Sequence, residues 1–426
     1  MAQAAPRTQS AAAKIQAGAH GRTLDGRGIA GQPSATGSRP FRDRIRAFHQ
    51  PAGPSSASRS KTRRTACAES ARPFLLDLAL PALLAPSTAE AQSCILTRLD
   101  TPVLNAFPDV AASEQTWQIS LAWRYGKSDR HFVGTEEQKQ RQAEGSEVIN
   151  DVHLADVAIR RNFGPRNSLE LGIPYLMATR SSPIRGANRE VIGRSIGNSR
   201  GLGDITIVGQ HLLWDPQEHP KSNVALSLGL KLPTGQNNVT DTRLRWVDGE
   251  IVSSVETIDQ SVQPGDGGFG LILGVSGFQV FGESGSWAAY GSATYIVEPE
   301  GTNGVYTYRS APGEQINSIS DQYVARAGLQ LSGRGWHGWA FGLGGRIEGI
   351  PVHDLVGSSD GFRRPGYMVS VEPSASWSRG PHSVQMAVPV AVVRNRQRSV
   401  PDLENGRHGD AAFPDMIFLA SYSYRF

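Results

Sequence analysis

Long hydrophobic runs are missing from this 426-residue sequence. A membrane-spanning helix needs roughly 18 consecutive apolar residues with few charges, and no stretch of the chain reaches that length. Cysteine is scarce as well, at two residues, so a disulfide scaffold is excluded. No Cys/His cluster has the spacing of a zinc site. These absences exclude a helical membrane protein and a small domain stabilised by disulfides or zinc.

The sequence also lacks a basic folded body, although the whole chain carries a net charge of +4. Residues 1–91 hold 13 of the 43 Lys and Arg but only 5 of the 39 Asp and Glu. The remaining 30 basic and 34 acidic residues give residues 92–426 a net charge of −4. A nucleic-acid-binding domain needs a basic face, so we expect no nucleic-acid partner.

The front of the chain has the composition of an extension followed by an export signal. Residues 1–60 are rich in Ala, Gly, Ser, Pro and Arg without periodicity, which predicts either a disordered extension or an upstream segment that is not translated. Residues 61–91 then show a basic start at 61–64, an apolar stretch at 74–86 and an Ala-x-Ala site at 89–91. That order is typical of a secretory signal peptide.

From residue 116 onward the dominant hydrophobic period is 2, which indicates β-strands. Residues 117–125 alternate Trp, Ile, Leu, Trp and Tyr with polar or small side chains, and residues 224–232 alternate Val and Leu with Ala, Ser, Gly and Lys. Twelve such segments are predicted, at about 116–126, 150–162, 168–178, 202–214, 223–232, 267–278, 286–297, 321–332, 336–348, 366–378, 383–394 and 414–426.

The connections between these segments alternate in length. Five are short, and both ends of the strand-rich segment fall on their side. This is the pattern of a closed up-and-down meander with an even number of strands. A β-sandwich also buries the apolar faces of alternating strands, so alternation alone leaves that fold open. The six long connections are 127–149, 179–201, 233–266, 298–320, 349–365 and 395–413.

The composition of the two strand faces favours a membrane barrel over a sandwich. Aromatic residues lie at the ends of the apolar faces, as in interfacial belts, and the opposite faces are small and polar. Lipid offers backbone groups no partners, so strands cross it only as a closed barrel. We predict an all-β fold, a transmembrane up-and-down antiparallel β-barrel of about 12 strands over residues 116–426, in the outer membrane of a Gram-negative bacterium.

The last predicted strand resembles the assembly signal of outer-membrane barrels. Tyr422, Tyr424 and Phe426 share one face of this strand, and Phe426 is the final residue. The resemblance implies recognition by the barrel-assembly machinery. We therefore expect two partners besides any solute, namely that machinery and the outer-membrane lipid.

Three glycine-rich motifs mark the ends of predicted strands. Gly201-Leu202-Gly203-Asp204 opens one strand, Lys231-Leu232-Pro233-Thr234-Gly235 closes the next, and Gln263-Pro264-Gly265-Asp266-Gly267-Gly268 opens the third. The prolines and glycines predict strand punctuation, because Pro cannot donate to the ladder and Gly permits unusual backbone.

In spacing and order these motifs resemble those of an outer-membrane β-barrel "transporter" family labelled MetA-pathway of phenol degradation. The resemblance covers about residues 168–297. Asp266 departs from it, since members usually carry a small hydroxyl residue there. The resemblance implies a barrel fold and, loosely, uptake of hydrophobic or aromatic compounds.

Catalytic signatures are absent from the strand-rich segment. A barrel phospholipase needs a serine activated by a neighbouring histidine, and no histidine after residue 91 lies two positions before a serine. His382 and Ser383 are adjacent, so their side chains point to opposite faces of a strand. Acidic residues in the predicted loops lack the spacing of a calcium loop. We expect no enzymatic activity, no cofactor and no metal.

The residues that alternate with the apolar faces are expected to line the barrel interior. Their charges are of both signs, and most of the remaining lining is Gly, Ala and Ser, which leaves space inside twelve strands. Mixed charges could instead pair and brace a filled barrel. The candidate lumen-lining ionisable residues are Arg124, Asp156, Arg160, Glu170, Asp204, Lys231, Arg326, Arg346, Glu348 and Glu372.

Two functions follow from this sequence. The first is an outer-membrane transporter or channel for small solutes, hydrophobic or aromatic ones among them. The alternative is a structural or surface-interaction barrel without transport, in which the loops act. Residues 92–115 form, on either reading, a periplasmic N-terminal segment or a partial plug of the lumen.

Overall fold

The computed structural model describes residues 116–282 and 286–426. The predicted extension (1–60), signal peptide (61–91) and periplasmic segment or plug (92–115) lie outside the described residues. Strands dominate the described part of the chain. None of its helices is long and apolar enough to cross a membrane.

Twelve antiparallel strands form the barrel wall, and each pairs with its neighbours in sequence. They match the twelve segments predicted from the period-2 pattern. The strands are β1 (Trp117–Val133), β2 (Ile149–Asn162), β3 (Asn167–Arg185), β4 (Val191–Leu202 and Thr206–Leu212), β5 (Ser222–Lys231), β6 (Gly270–Phe281), β7 (Trp287–Val297), β8 (Gln322–Ser332), β9 (Trp339–Ile350), β10 (Gly366–Arg379), β11 (His382–Ala387 and Val390–Arg396) and β12 (Ala411–Arg425).

The sheet closes on itself because β12 pairs with β1. Their antiparallel register runs from Gln118 opposite Arg425 to Phe132 opposite Ala411. At the end of this seam Trp117 and Phe426 exchange two backbone hydrogen bonds, of 2.8 and 2.9 Å. Closure removes the open edges that a flat sheet would expose. It confirms the predicted up-and-down antiparallel barrel of twelve strands.

The two faces of the wall differ as the period-2 pattern predicts. Outward side chains are apolar and accessible; Leu121, Leu228 and Leu343 are 53%, 61% and 60% exposed. The neighbours of Leu121 on β1 point inward, and Ser120 on that side is 3% exposed. An apolar outer face around a polar inner face is the reverse of a soluble domain, and it suits a surrounding of lipid.

The hairpin of β3 and β4 is longer than the sequence predicts. The prediction of a long loop over 179–201 is wrong, because β3 continues to Arg185 and β4 begins at Val191. Charged residues interrupt the apolar alternation there, and their role is structural. Arg194 on β4 donates hydrogen bonds to the Ser181 hydroxyl at 2.6 Å and the Glu147 carbonyl at 2.9 Å. These bonds hold the extended hairpin against a neighbouring loop.

The interruption of β11 has a local cause. Pro389 separates its two segments, since a proline ring has no N–H for the strand ladder. The Pro389 carbonyl still accepts a hydrogen bond of 3.0 Å from the Ile417 N–H of β12. The wall therefore continues across the break.

The long connections gather on one side of the barrel and the short turns on the other. The fully described short turns are 163–166, 213–221, 333–338 and 380–381. We name the connections of the opposite side L1 (134–148), L2 (186–190), L3 (232–269), L4 (298–321), L5 (351–365) and L6 (397–410).

Several of these loops contain secondary structure of their own. L3 carries a two-stranded hairpin and a 3-10 helix, and L4 carries a short strand pair. L1 and L6 each contain one turn of α-helix. The elements are strand Glu136–Glu137 and α1 (Gln140–Ala143) in L1, strands Thr240–Val247 and Glu250–Thr257 and 3-10 helix Gln260–Val262 in L3, strands Thr302–Tyr306 and Ile316–Ser318 in L4, and α2 (Val400–Glu404) in L6.

Candidate functional site

Five inward-facing charged side chains form one ion-pair network in the middle of the lumen. Arg124 Nη2 lies 2.6 Å from Oε1 of Glu348, and Arg346 Nε lies 2.6 Å from Oε2 of the same carboxylate. Glu372 then lies 3.3 Å from Arg326 Nε and 3.6 Å from Arg346 Nη1. All five residues are buried. We call this set, Arg124, Arg326, Arg346, Glu348 and Glu372, the lumen network.

The lumen network crosses the barrel. Arg124 lies on β1 and Glu348 on β9, and these strands are not neighbours, so their ion pair spans the lumen. Buried charges are tolerated when they are paired, and removing one partner costs about 3–5 kcal/mol. The network therefore joins strands that are not neighbours and occupies part of the interior.

Three other predicted lumen residues lie on β2 and β3. Arg160 Nε donates a hydrogen bond of 2.7 Å to Glu170 Oε2 on the neighbouring strand. Asp156 faces inward on β2 and is buried, at 6% exposure. The register of β2 and β3 puts these three residues on the same face of the wall as Leu154 and Leu176.

Lys231, at the loop end of β5, belongs to a separate buried cluster. Its ammonium group lies 2.9 Å from Glu298 and 3.7 Å from Asp204, and it also donates to Asp266. We call these four residues the lysine node. Lys231 places a positive charge among three buried carboxylates and so offsets part of their mutual repulsion.

The lysine node is where the three glycine-rich motifs meet. Asp204 accepts the Gly235 N–H at 2.9 Å with one oxygen and the Asp266 N–H at 3.1 Å with the other. A Cβ on Gly235 would lie 2.7 Å from the Gly203 carbonyl carbon and 2.8 Å from Gly265 Cα. The glycines thus permit close backbone packing between motifs, which goes beyond the strand punctuation that the sequence predicts.

The returning part of L3 folds into the lumen. Ile258 and Val262 are buried against the inward side chains of Leu154 on β2 and Leu176 on β3. Gln263 is 1% exposed, and its amide bonds the Ile258 carbonyl at 2.8 Å. The loop end of the lumen is therefore narrowed by a packed segment of L3.

Asp259 fixes this segment to the wall and to a second loop. Its carboxylate accepts two hydrogen bonds from Arg364 of L5, at 3.0 and 2.6 Å, and lies 3.6 Å from Arg180 of β3. The hydroxyl of Tyr308 in L4 donates to it at 3.4 Å. We call Arg180, Asp259 and Arg364 the aspartate clamp. Three loops and one strand thus meet at a single carboxylate.

The clamp shifts the ionisation of its members. Burial acts to raise the pKa of Asp259, but the charges of Arg180 and Arg364 hold that pKa well below its usual range. Burial, followed by the charge of Asp259, raises the pKa of Tyr308. Asp259 is therefore a carboxylate and Tyr308 a neutral phenol at any physiological pH.

Loops L3, L4 and L5 are also joined outside the clamp. The side-chain amide of Gln260 in L3 donates to the Ser318 carbonyl of L4. Arg363 of L5 donates to the Ser318 hydroxyl at 3.0 Å and forms a bidentate pair with Asp354 at 2.8 and 2.6 Å. The obstruction of the lumen is therefore a joint structure of three loops.

In front of this obstruction lies a pocket that opens toward the loop side, the mouth pocket. Its empty space is about 700 Å³, including the solvent-filled entrance. Residues of the β3–β4 hairpin, L1, L3 and L4 line it. Guanidinium groups, carboxylates and apolar side chains all line it. Among these lining residues are Arg141, Val148, Arg180, Pro183, Arg185, Asp241, Arg243, Glu256, Ile258, Asp259 and Tyr308.

Sequence reasoning locates the wall residues of these sites and misses the loop residues. Asp259 and Arg364 lie in L3 and L5, where no periodic pattern specifies which side chain faces the lumen. The sequence gives a weak indication of the role of Asp266, because Asp266 and Lys231 belong to two of the three motifs that carry the family resemblance. Glu298 follows directly on the predicted strand 286–297, whose alternation indicates its inward face.

No protein-family model and no curated protein matches the sequence. The resemblance to the MetA-pathway family stays a prediction for that reason. Solved structures do show similar folds. An outer membrane channel from Pseudomonas putida is 12% identical with a TM-score of 0.47, over 75% of this chain and 99% of that chain.

Two further barrels show the range of similar folds. The translocator domain of the autotransporter NalP from Neisseria meningitidis is 14% identical with a TM-score of 0.42, over 76% of this chain and 92% of that chain. The toluene transporter TodX from Pseudomonas putida is 8% identical with a TM-score of 0.38, over 79% of this chain and 95% of that chain. At these identities the likeness concerns the fold alone.

Proposed function

We propose that the protein is an outer-membrane channel that passes small solutes through its lumen. The closed wall satisfies its own backbone, and its outward face is apolar, with Trp117 and Trp287 42% and 51% exposed at the first residues of β1 and β7. These properties support a position in the outer membrane, with lipid around the wall. The long loops then face outside and the short turns face the periplasm.

The main support for a channel is that a loop, and not the barrel wall, obstructs the lumen. A folded-in loop, held by the aspartate clamp, narrows the outer part of the lumen, and the mouth pocket lies in front of it. Below, inward residues such as Gly274, Ser292 and Ser374 are small, and twelve strands enclose more room than eight. A loop can move without breaking the wall, which supports a regulated passage.

For the solutes we propose small molecules, hydrophobic or aromatic ones among them, as the family resemblance implies. The lumen network and the lysine node together hold four cationic side chains and five carboxylates, so a strong preference for ions of one sign is not expected. We also propose that the barrel-assembly machinery inserts the chain, through the terminal strand. The proposed function involves no catalysis and no cofactor.

The channel is tested with purified protein in planar bilayers and in liposomes. We expect discrete conductance steps and uptake of a neutral aromatic solute. Ser292 points into the lumen and its neighbour Ala293 points outward on the same strand. Ser292→Trp should reduce flux at least severalfold, whereas Ala293→Trp should leave it unchanged. Equal flux in both variants would contradict passage through the lumen.

The alternative, a structural or surface-interaction barrel, is favoured by one observation. The Arg124–Glu348 ion pair crosses the lumen and both side chains are buried, as in a barrel that is braced shut. A correctly folded barrel that shows neither conductance nor uptake, even after L3 is released from the clamp, would support this function instead of the channel.

A further inference from the structure

The charges around the mouth pocket do not balance. Four arginines line it, and they are Arg141, Arg180, Arg185 and Arg243. Three carboxylates line it, and they are Asp241, Glu256 and Asp259. A pocket with excess guanidinium groups is a place where an anion would be stabilised.

Two of these carboxylates are shared between an arginine of the lining and an arginine outside it. Asp259 lies 3.6 Å from Arg180 and also accepts two hydrogen bonds from Arg364 of L5. Glu256 lies 3.7 Å from Arg243 and also accepts from Arg245, on the facing strand of the L3 hairpin. The Asp241 carboxylate accepts backbone N–H groups at 2.7 and 2.8 Å. These contacts reduce what the carboxylates offer to the arginines that line the pocket.

Arg141 and Arg185 both line the pocket, and the positive charge of Arg185 disfavours that of Arg141. Arg141 lies 2.7 Å from Asp410, which lies outside the pocket lining. Burial lowers the pKa of Arg141, and the charge of Arg185 acts in the same direction against the effect of Asp410. The side chain of Arg185 donates to a neutral acceptor, the Arg189 carbonyl, at 3.1 Å. An incoming carboxylate would relieve this like-charge repulsion.

Apolar side chains line the mouth pocket as well. Val148 and Ile258 are 3% and 8% exposed, and Pro183 belongs to the same lining. The Tyr308 ring is also part of it and carries the Arg243 guanidinium 4.0 Å from its centroid. A flat apolar body could pack on these side chains while its acid group meets the arginines.

We propose that the mouth pocket binds a small arylcarboxylate, with the carboxylate at Arg185 and Arg243 and the ring against Ile258 and Tyr308. The inference deepens the proposed channel function, on which it rests, by naming a solute class. Arg180 and Asp259 of the aspartate clamp line the pocket, so a solute bound there would lie against the clamp that holds L3.

Equilibrium binding to the full-length protein, folded in detergent, tests the inference without requiring transport. Benzoate is the probe, benzyl alcohol is its neutral counterpart of similar shape, and acetate is an anion without the ring. We expect benzoate to bind at least about tenfold more tightly than either, and more weakly as salt is raised. Equal binding of benzyl alcohol, or equal binding of acetate, would overturn the inference.

The Arg185→Gln/Arg243→Gln double variant should bind benzoate at least about tenfold more weakly. Arg200→Gln, exposed on β4 outside the pocket lining, is the matched control and should bind as the unmodified protein does. Unchanged binding in the double variant would overturn the proposed site. Conductance without benzoate binding contradicts this inference alone, whereas benzoate binding without conductance or uptake contradicts the channel.

Discussion

Single buried charges hold the loops of this barrel in place, and Asp259 is the clearest case. Its carboxylate is the shared partner of Arg180 on the wall and Arg364 in L5. An amide at this position would leave two buried guanidinium groups without their counter-charge. Because Asp259 lies in a loop, its replacement should displace L3 and leave the closed sheet intact.

Asp259→Asn should therefore release the inserted part of L3. We expect larger or more frequent open events in single-channel recordings, since losing one partner of a buried pair costs about 3–5 kcal/mol. Asp248→Asn, at the exposed tip of the L3 hairpin, is the control and should behave as the unmodified channel. A conductance trace that is identical in all three proteins would show that L3 is not the gate.

The clamp also predicts how gating depends on pH. The pKa of Asp259 is depressed in the folded protein, so its contribution is present above about pH 4, the ordinary range for an aspartate. That contribution is lost only as the pH falls toward the depressed value. Recordings between pH 8 and pH 5 should thus show constant closure. A transition near pH 6 would assign the gate to a histidine instead.

Lys231 provides a second test of buried charge. Lys231→Met removes the one cation that faces Asp204, Asp266 and Glu298. We expect a loss of about 3–5 kcal/mol and a lower temperature for conversion of the heat-modifiable gel band. Lys221→Met, at an exposed lysine of a short turn, should leave that temperature unchanged. Equal stability of the two variants would mean that the lysine node contributes nothing.

Among the strands, β12 carries the closure of the barrel. Phe426 both donates to and accepts from Trp117, and Tyr424 stacks on Phe426 with ring centroids 5.9 Å apart. Deleting Phe426 should lower the outer-membrane fraction and the heat-modifiable band, because two seam hydrogen bonds and the terminal aromatic are lost together. Ser421→Ala, on the inward face of β12 away from its end, is the control. Full membrane recovery without Phe426 would contradict this role.

The strands show what periodicity can specify. An alternating apolar face fixes both the strand and its inward side, and it locates Arg124 and Glu372 correctly on the inner wall. The length of the β3–β4 hairpin is not predicted because Arg180, Arg185 and Arg194 break the apolar alternation. Arg180 and Arg194 pair with carboxylates in L3 and L1, and Arg185 donates to a backbone carbonyl in L2. Partners far apart in sequence supply that compensation.

The loop contacts lie beyond sequence reasoning for a similar reason. Asp259 and Arg364 are 105 positions apart, and no local pattern links them. The glycine motifs are an intermediate case. Their sequence shows that the backbone there is special, but the approach of Gly235 to Gly203 and Gly265 depends on the arrangement of three strands.

The orientation of the whole barrel can be tested by labelling. With Cys67 and Cys94 replaced by serine, cysteines at Asn238 in L3 and Leu355 in L5 should react with an impermeant reagent on intact cells. A cysteine at Arg334, in a short turn, should react only after the outer membrane is opened. These three positions are exposed. Gly357 in L5 is unsuitable, because its φ of +93° disfavours any other residue and because a Cβ there would clash with the Pro299 carbonyl. The opposite labelling pattern would mean an inverted barrel.

The seam between β1 and β12 also dictates when the molecule can form. Ser120 and Ser423, whose hydroxyls lie 2.8 Å apart across the seam, are separated by 303 positions in the chain. The first strand therefore has no closing partner until nearly all of the polypeptide has been synthesised and exported. Until that moment only one of its two neighbours in the ring, β2, is in place, and its apolar face and its other edge are exposed to aggregation. We therefore expect the chain to be kept unfolded in transit and the closure of the barrel to be a late step, because it joins the two ends of a very long loop.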